Sequence, residues 1–128
     1  HEHDIDLYHT VATVRVPAAA SFGFGDPLAD IDFDSQLDHM NFRPLDPGTV
    51  FGRTRLQSPI DVRDEGGADV AAEFFDWGDG TIRLRRASTP AMLTLDRRVV
   101  RQDCLCYLME RLPYARHEPV APELCESV

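Results

Sequence analysis

The residues best suited to bind a metal ion are three cysteines and one histidine near the end of the chain. Cys104, Cys106, His117 and Cys125 have the side-chain types of a Cys₃His zinc site. Their first spacing, Cys-x-Cys, is unusual for zinc, and on a helix two side chains so spaced point roughly 200° apart. We therefore expect ordinary thiols here and keep zinc binding as an alternative. A disulfide from Cys125 to Cys104 or Cys106 also fits three cysteines.

Two histidines at the beginning of the sequence suggest a second metal chemistry. If His1 is the terminus of the mature protein, its amine, the following amides and the His3 imidazole can bind Cu(II) in a square plane. A remnant of processing explains the same residues without any metal. We predict no cofactor, and zinc or copper at these two sets of residues is the alternative.

Acid–base pairs suited to catalysis are few and lack a supporting motif. Asp38 lies next to His39, and Asp103 precedes His117 by 14 positions. The sequence contains no nucleophile elbow, no glycine-rich phosphate loop and no His-Glu-x-x-His motif. Because histidine near aspartate is expected by chance in an acidic chain, the sequence favours a non-catalytic role.

The charged residues divide the chain into an acidic and a weakly basic part. Lys and Arg together number 13, all of them arginine, against 22 acidic residues, which gives a formal net charge of −9. Residues 1–80 carry a net charge of −11, and residues 81–128 carry +2. The overall negative charge makes nucleic acid an unlikely partner.

The arginine-rich part predicts a protein-binding surface. A guanidinium keeps its charge when half buried and binds carboxylates through paired hydrogen bonds, as protein interfaces require. The predicted partners are protein subunits, of the same or a different chain, and the predicted contact residues are Arg83, Arg85, Arg86, Arg97, Arg98, Tyr114 and Leu124. Two alternatives stay open: these arginines only solvate one face, or they bind an anionic ligand.

Several short patterns predict strands that position these residues. Residues 9–16 are rich in β-branched side chains, and residues 30–34 alternate acidic with apolar side chains. A turn at residues 43–48 precedes a strand over 49–56 with a bulge at Gly52. The Trp77-Gly78-Asp79-Gly80 sequence predicts a hairpin between β-prone runs over 68–76 and 81–86.

A helix is predicted to follow that hairpin. Ser88-Thr89-Pro90 resembles a helix start, and Pro113 would end the helix. Apolar residues at helical spacing form one stripe between them: Met92, Leu95, Val99, Cys106 and Met109. In an alternative, residues 91–95 are extended and the helix begins after Asp96 as its N-cap.

Together these patterns predict a single α+β domain over residues 1–128. Its core, residues 9–112, is a small, mainly antiparallel sheet with one principal C-terminal helix packed on it, and residues 1–8 and 113–128 are extended terminal arms. No apolar run approaches the roughly 20 residues needed to cross a bilayer, so we expect no membrane insertion. We expect a cytoplasmic protein or one within a particle, with secretion still open, that acts as an interaction subunit of a cellular or viral assembly.

Overall fold

The computed structural model describes residues 6–113, in which nine strands form two β-sheets. The first sheet has the strand order β5-β1-β9-β8, and the second has the order β2-β3-β4-β7-β6. In chain order the elements are β1 (Asp6–Arg15), β2 (Phe22–Phe24), β3 (Ile31–Phe33), a 3-10 helix (Leu37–Met40), β4 (Val50–Thr54), β5 (Asp61–Asp64), α1 (Ala71–Phe74), β6 (Phe75–Asp76), β7 (Thr81–Leu84), β8 (Thr89–Ala91), α2 (Arg97–Gln102) and β9 (Cys106–Pro113).

The first sheet is antiparallel and is built around the pairing of β1 with β9. Their register runs from Asp6 opposite Pro113 to Val14 opposite Cys106, with an irregularity at Val11. Ala12 and Val14 are buried, which confirms the strand predicted over residues 9–16. Because the two strands lie nearly one hundred residues apart, only a long-range contact can form this sheet.

The second sheet contains one parallel pair, β2 with β3, and is otherwise antiparallel. In β3, Ile31 and Phe33 are fully buried, while Asp32 is only partly covered, as the alternation of apolar and acidic residues predicts. The register between β4 and β7 shifts between Val50 and Gly52, where the bulge was expected. A Cβ atom at Gly52 would lie 2.4 Å from the carbonyl oxygen of Asp32, so β3 and β4 approach each other closely there.

The predicted hairpin is confirmed, although its first arm is shorter than expected. Phe75 pairs with Leu84 and Asp76 with Arg83 across the hairpin. Gly80 adopts a φ of 86°, which favours glycine, and its N–H donates to the carbonyl of Trp77 at 3.0 Å. Just before β6, the chain forms the single helical turn α1 instead of continuing the predicted strand.

One hydrophobic cluster contains side chains from both sheets. Val14, Val62 and Leu108 of the first sheet belong to it, as do Phe51 and Ile82 of the second. Phe51 also contacts Phe75 edge to face, with ring centroids 5.0 Å apart. The two sheets therefore share a core.

The predicted α+β class and its principal C-terminal helix are wrong. Helices make up only 13% of the structure, which is mostly β. Thr89 and Pro90, predicted at a helix start, lie in β8, and residues 106–113 form β9. Met92 is 64% exposed, whereas Cys106 is fully buried, so the apolar stripe does not share one helix face.

The helix prediction failed because residues 104–109 form a continuous apolar run, with no polar residue to mark a solvent-facing side. Such a run suits a buried strand as well as a helix, and the spacing of its residues cannot separate the two. Pairing with β1 on one edge and with β8 on the other decides for the strand. Only α2 remains helical, and the Asp96 side chain caps it by accepting a hydrogen bond from the N–H of Arg98 at 3.0 Å. This helix matches the alternative prediction, in which the helix begins after Asp96 as its N-cap.

No helix within residues 6–113 is long and apolar enough to cross a membrane.

Candidate interaction surface

Two bulky apolar side chains, those of Phe42 and Met92, extend into solvent. Phe42 is 61% exposed and Met92 is 64% exposed. Both residues have left-handed backbone conformations, with φ of 63° at Phe42 and 58° at Met92. They are the only residues other than glycine with positive φ in the described part of the chain.

Hydrogen bonds hold the two segments side by side. The N–H of Phe42 donates to the carbonyl of Pro90 at 2.7 Å, and the Asn41 side chain accepts from the N–H of Leu93 at 3.0 Å. Leu45 and Ser88 add an isolated antiparallel bridge. We call Phe42 and Met92, placed by these bonds, the Phe42–Met92 patch.

A left-handed conformation costs an ordinary residue about 1–2 kcal/mol, because Cβ crowds the following carbonyl. Folded proteins keep such strain where the surrounding structure enforces it, and it concentrates at functional sites. At Phe42 and Met92 the hydrogen bonds supply that enforcement, and burial does not account for either conformation. The patch therefore combines backbone strain with solvent exposure at two residues that are far apart in the sequence.

An open cleft of about 580 Å³ is lined by residues that precede and follow Phe42 in sequence. Met40 and Leu45, which pack against the core, form apolar parts of its wall. His39 and Arg43 line the same cleft, and no hydrogen bond or ion pair connects the Arg43 side chain to another described residue. The wall of the cleft is therefore partly apolar and partly charged.

Three of the predicted contact arginines bind groups of their own chain. Arg83 donates to the Asp79 carboxylate at 2.7 Å, and Arg85 donates to the carbonyl of Ala72 at 2.8 Å. Arg86 forms an ion pair with Glu110 of β9, and its guanidinium lies 4.7 Å from the centre of the Phe74 ring. These three residues therefore have structural contacts, which leaves them less free for a partner or an anionic ligand.

The other two predicted arginines, both on α2, are free of close ion pairs. Arg97 is exposed, with no side-chain hydrogen bond or ion pair inside residues 6–113. The Arg98 side chain is 93% exposed and lies 3.9 Å from the Asp96 carboxylate. The neighbouring Val99 is 41% exposed. Further along α2, Arg101 binds the carbonyl oxygens of Pro17 and Ala20, so it anchors the helix.

Cys104 and Cys106 are both buried as free thiols. Burial raises the pKa of Cys106 far above its usual value and is also the largest cause of the raised pKa of Cys104, followed by the nearby Asp103. A metal ligand must be a thiolate, so this environment opposes metal binding by these two residues. Among residues 6–113, no group of three or more histidine, cysteine or acidic side chains could hold a metal ion.

The remaining predicted site residues lie outside the described range. They are His1, His3, Tyr114, His117, Leu124 and Cys125. The predicted contacts of the terminal arms therefore remain predictions.

Sequence reasoning missed the Phe42–Met92 patch. Phe42 was not among the predicted contact residues, and Met92 was placed on the apolar stripe of the predicted helix. The only local signal is a large apolar residue next to polar ones, as in Asn41-Phe42-Arg43, and isolated residues of this kind are common on protein surfaces. Comparison with family models, curated proteins and solved structures gave no match.

Proposed function

We propose that this protein is a non-catalytic, protein-binding subunit of a larger assembly. The observation that carries the proposal is the Phe42–Met92 patch, in which two large apolar side chains are exposed and both are held in strained conformations. A protein partner that covers the patch would remove apolar surface from water, and such burial is worth about 25 cal/mol per Å².

The position of the patch also favours binding over a structural role. Phe42 and Met92 come from segments 50 positions apart in sequence, yet direct hydrogen bonds hold these segments together. Because hydrogen bonds already hold the backbone of both segments, little backbone freedom is lost on binding, which helps large apolar side chains to act as interface anchors. Arg97 and Arg98 on α2 supply exposed positive charge, and the arms with Tyr114 and Leu124 are proposed to add contacts.

Site-specific photo-crosslinking tests this function. Benzoylphenylalanine replaces Phe42 in the full chain, which is then irradiated in its native source or in an extract of it. A matched chain carries the crosslinker at Leu28, which is 90% exposed and lies in the loop between β2 and β3. Mass spectrometry then identifies the attached protein and the attached peptide.

We expect one dominant protein attached to position 42 and none of it attached to position 28. Met92→Asn should reduce this attachment at least about tenfold, because asparagine tolerates the left-handed backbone but removes the apolar contact. The same products at both positions, or no product at position 42, would contradict the proposed function.

A further inference from the structure

Strand β1 extends beyond the strand that pairs with its outer edge. β9 pairs with β1 from Asp6 to Val14, whereas β5 pairs with the opposite edge of β1 only from Ala12 to Arg15. On the β5 side, no backbone hydrogen bond from the rest of residues 6–113 reaches residues 7–10. We call this side of residues 7–10 the open edge.

The other edges of the two sheets are covered by the chain itself or are short. The outer edge of β5 bonds to the segment that follows it, where the N–H of Val70 donates to the carbonyl of Val62 at 2.8 Å. The outer edge of β8 bonds to the loop with Phe42, whose N–H donates to Pro90 at 2.7 Å. In the second sheet the edge strands β2 and β6 have only three and two residues, and short edges resist strand addition. Among the described strands, this leaves the far end of the β1–β9 pair uncovered.

The two sides of that end differ in composition. On the β9 side, residues 110–113 are Glu-Arg-Leu-Pro, and natural proteins protect sheet edges with charged residues and proline. On the β1 side, residues 7–10 are Leu-Tyr-His-Thr, without an acidic residue, an arginine or a proline. Tyr8 is 47% exposed, and Thr10 is also exposed. An exposed, β-prone edge without such protection is suited to pairing with another chain.

We infer that the open edge binds an extended segment of a partner protein as an additional β-strand, an inference that rests on the proposed function for its protein partner. In an antiparallel pair the N–H and C=O groups of alternate residues face away from the partner strand, so some of those in residues 7–10 face away from β9. An extended backbone offers acceptors and donors at the matching spacing. Beyond Thr10 the first sheet is only two strands wide in the described structure, and two strands alone are marginally stable in water.

The position of β5 favours a single extended segment over β1 of a second copy. β5 occupies the same edge of β1 from Ala12 onward, and the Glu65 side chain just after β5 contacts His9. In a twofold pairing centred on Tyr8, β5 of each copy would lie on the path by which the other copy's chain enters β1 at Asp6. A segment without neighbouring strands avoids this collision. The open edge therefore fits a chain terminus or a long loop of another protein.

Amide hydrogen exchange in the purified full chain tests the open edge without a partner. We expect the rates over residues 7–10 to alternate, with amides that face β9 exchanging at least about tenfold more slowly than amides that face outward. Residues 12–14, which are paired on both edges, should all exchange slowly. Uniformly slow exchange over residues 7–10 would overturn the inference, because the chain would then cover this edge itself.

A crosslinker at position 8 identifies the partner segment. Benzoylphenylalanine replaces Tyr8 in the full chain, which is irradiated in its native source or in an extract of it. A matched chain carries it at Tyr107, which lies in β9 between β1 and β8. We expect one dominant peptide attached to position 8 and none of it attached to position 107. The same products at both positions, or no product at position 8, would overturn the inference.

The attached peptide is then synthesised and added to the purified full chain. It should slow exchange of the outward-facing amides of residues 7–10 at least about tenfold and leave those of α2 unchanged. Binding that leaves the amides of residues 7–10 unprotected would overturn the inference, because the peptide would then contact the protein without pairing with β1.

Proline variants test the backbone hydrogen bonds directly. Tyr8→Pro and His9→Pro remove N–H groups that face opposite edges of β1. The variant that loses the outward-facing N–H should stay folded by circular dichroism and bind the peptide at least about tenfold more weakly. The other variant should lower the free energy of unfolding, because it breaks a bond to β9. Unchanged peptide affinity in the folded variant would contradict pairing at the open edge.

Crosslinking at position 42 separates this inference from the proposed function. A product at position 42 with none at position 8 would remove only the added strand. Loss of the products at both positions would remove the proposed function as well.

Discussion

Phe42 and Met92 allow a direct test of the backbone strain at the patch. In a left-handed conformation alanine keeps the Cβ clash and glycine removes it. We expect Phe42→Gly to have a free energy of unfolding about 1 kcal/mol above that of Phe42→Ala, measured by urea denaturation with Trp77 fluorescence. The same order is expected at Met92.

Val50 provides the control for that comparison. It is 40% exposed and lies in a strand, without positive φ. Here Val50→Gly should be less stable than Val50→Ala, since glycine costs strand stability. The same order at Phe42 and Val50 would mean that the left-handed conformation is not strained.

The buried cysteines are expected to be inert in the folded protein. Burial raises the pKa of Cys106, so almost none of it is thiolate at neutral pH, and alkylation requires thiolate. We expect iodoacetamide to leave Cys104 and Cys106 unlabelled under native conditions and to label both in urea, as read from peptide masses. Native labelling of Cys106 at the rate of a free thiol would contradict its burial and reopen the metal-binding alternative.

The pH response of Asp79 follows from its contact with Arg83. The hydrogen bond from Arg83, then the one from the Thr81 N–H, holds the pKa of Asp79 below its usual value of 3.8. Because the pKa of Asp79 is lower in the folded than in the unfolded protein, this contact stabilises the fold fully at a pH above the unfolded pKa. The stabilisation is lost as the pH falls through the folded pKa. Carboxyl NMR should show the low midpoint, and Arg83→Gln should move it upward. An unchanged midpoint would exclude this ion pair as the cause.

At the scale of elements, Gly52 controls how closely β3 and β4 approach. Its added Cβ would lie 2.7 Å from the Cα of Phe33, a contact with backbone that cannot simply rotate away. We expect Gly52→Ala to lower the free energy of unfolding by about 1–3 kcal/mol. A Cβ atom added at Gly66 would lie 3.5 Å from its nearest neighbour, so Gly66→Ala should change the free energy of unfolding by no more than about 0.5 kcal/mol. Equal effects in urea denaturation would contradict the close approach.

The elements differ in how far local sequence predicts them. Local sequence was sufficient to predict β3, from the alternation at Ile31 and Phe33, because that signal depends on neighbouring residues. It was also sufficient to predict the β6–β7 hairpin, from the Asp79-Gly80 turn. The sequence from Thr89 to Pro113 was misassigned, because its state depends on pairing with β1. Asp96 identified the only helical part of that region, since a cap acts through adjacent N–H groups.

At the scale of the whole molecule, Arg86 links parts of both sheets. It follows β7 of the second sheet, pairs with Glu110 of the first and covers the Phe74 ring of α1. Because the side chain is 44% exposed, we expect Arg86→Met to lower the free energy of unfolding by only about 1 kcal/mol.

Arg53 is the matched control for Arg86. It is exposed, and no hydrogen bond or ion pair joins its side chain to another described residue. Arg53→Met should therefore change the free energy of unfolding by less than about 0.5 kcal/mol. If both arginine variants behave alike in urea denaturation, the ion pair between the sheets contributes nothing measurable.

By itself, the sequence determined the acidic balance, the turns and those strands whose alternation is local. The tertiary structure decided that residues 106–113 form a strand and which arginines bind groups of their own chain. It also decided that the segments of Phe42 and Met92 are hydrogen-bonded to each other while both side chains are exposed. The physical reason is range: turns and caps involve adjacent residues, whereas sheet pairing and surface position depend on residues that meet only after the chain has folded.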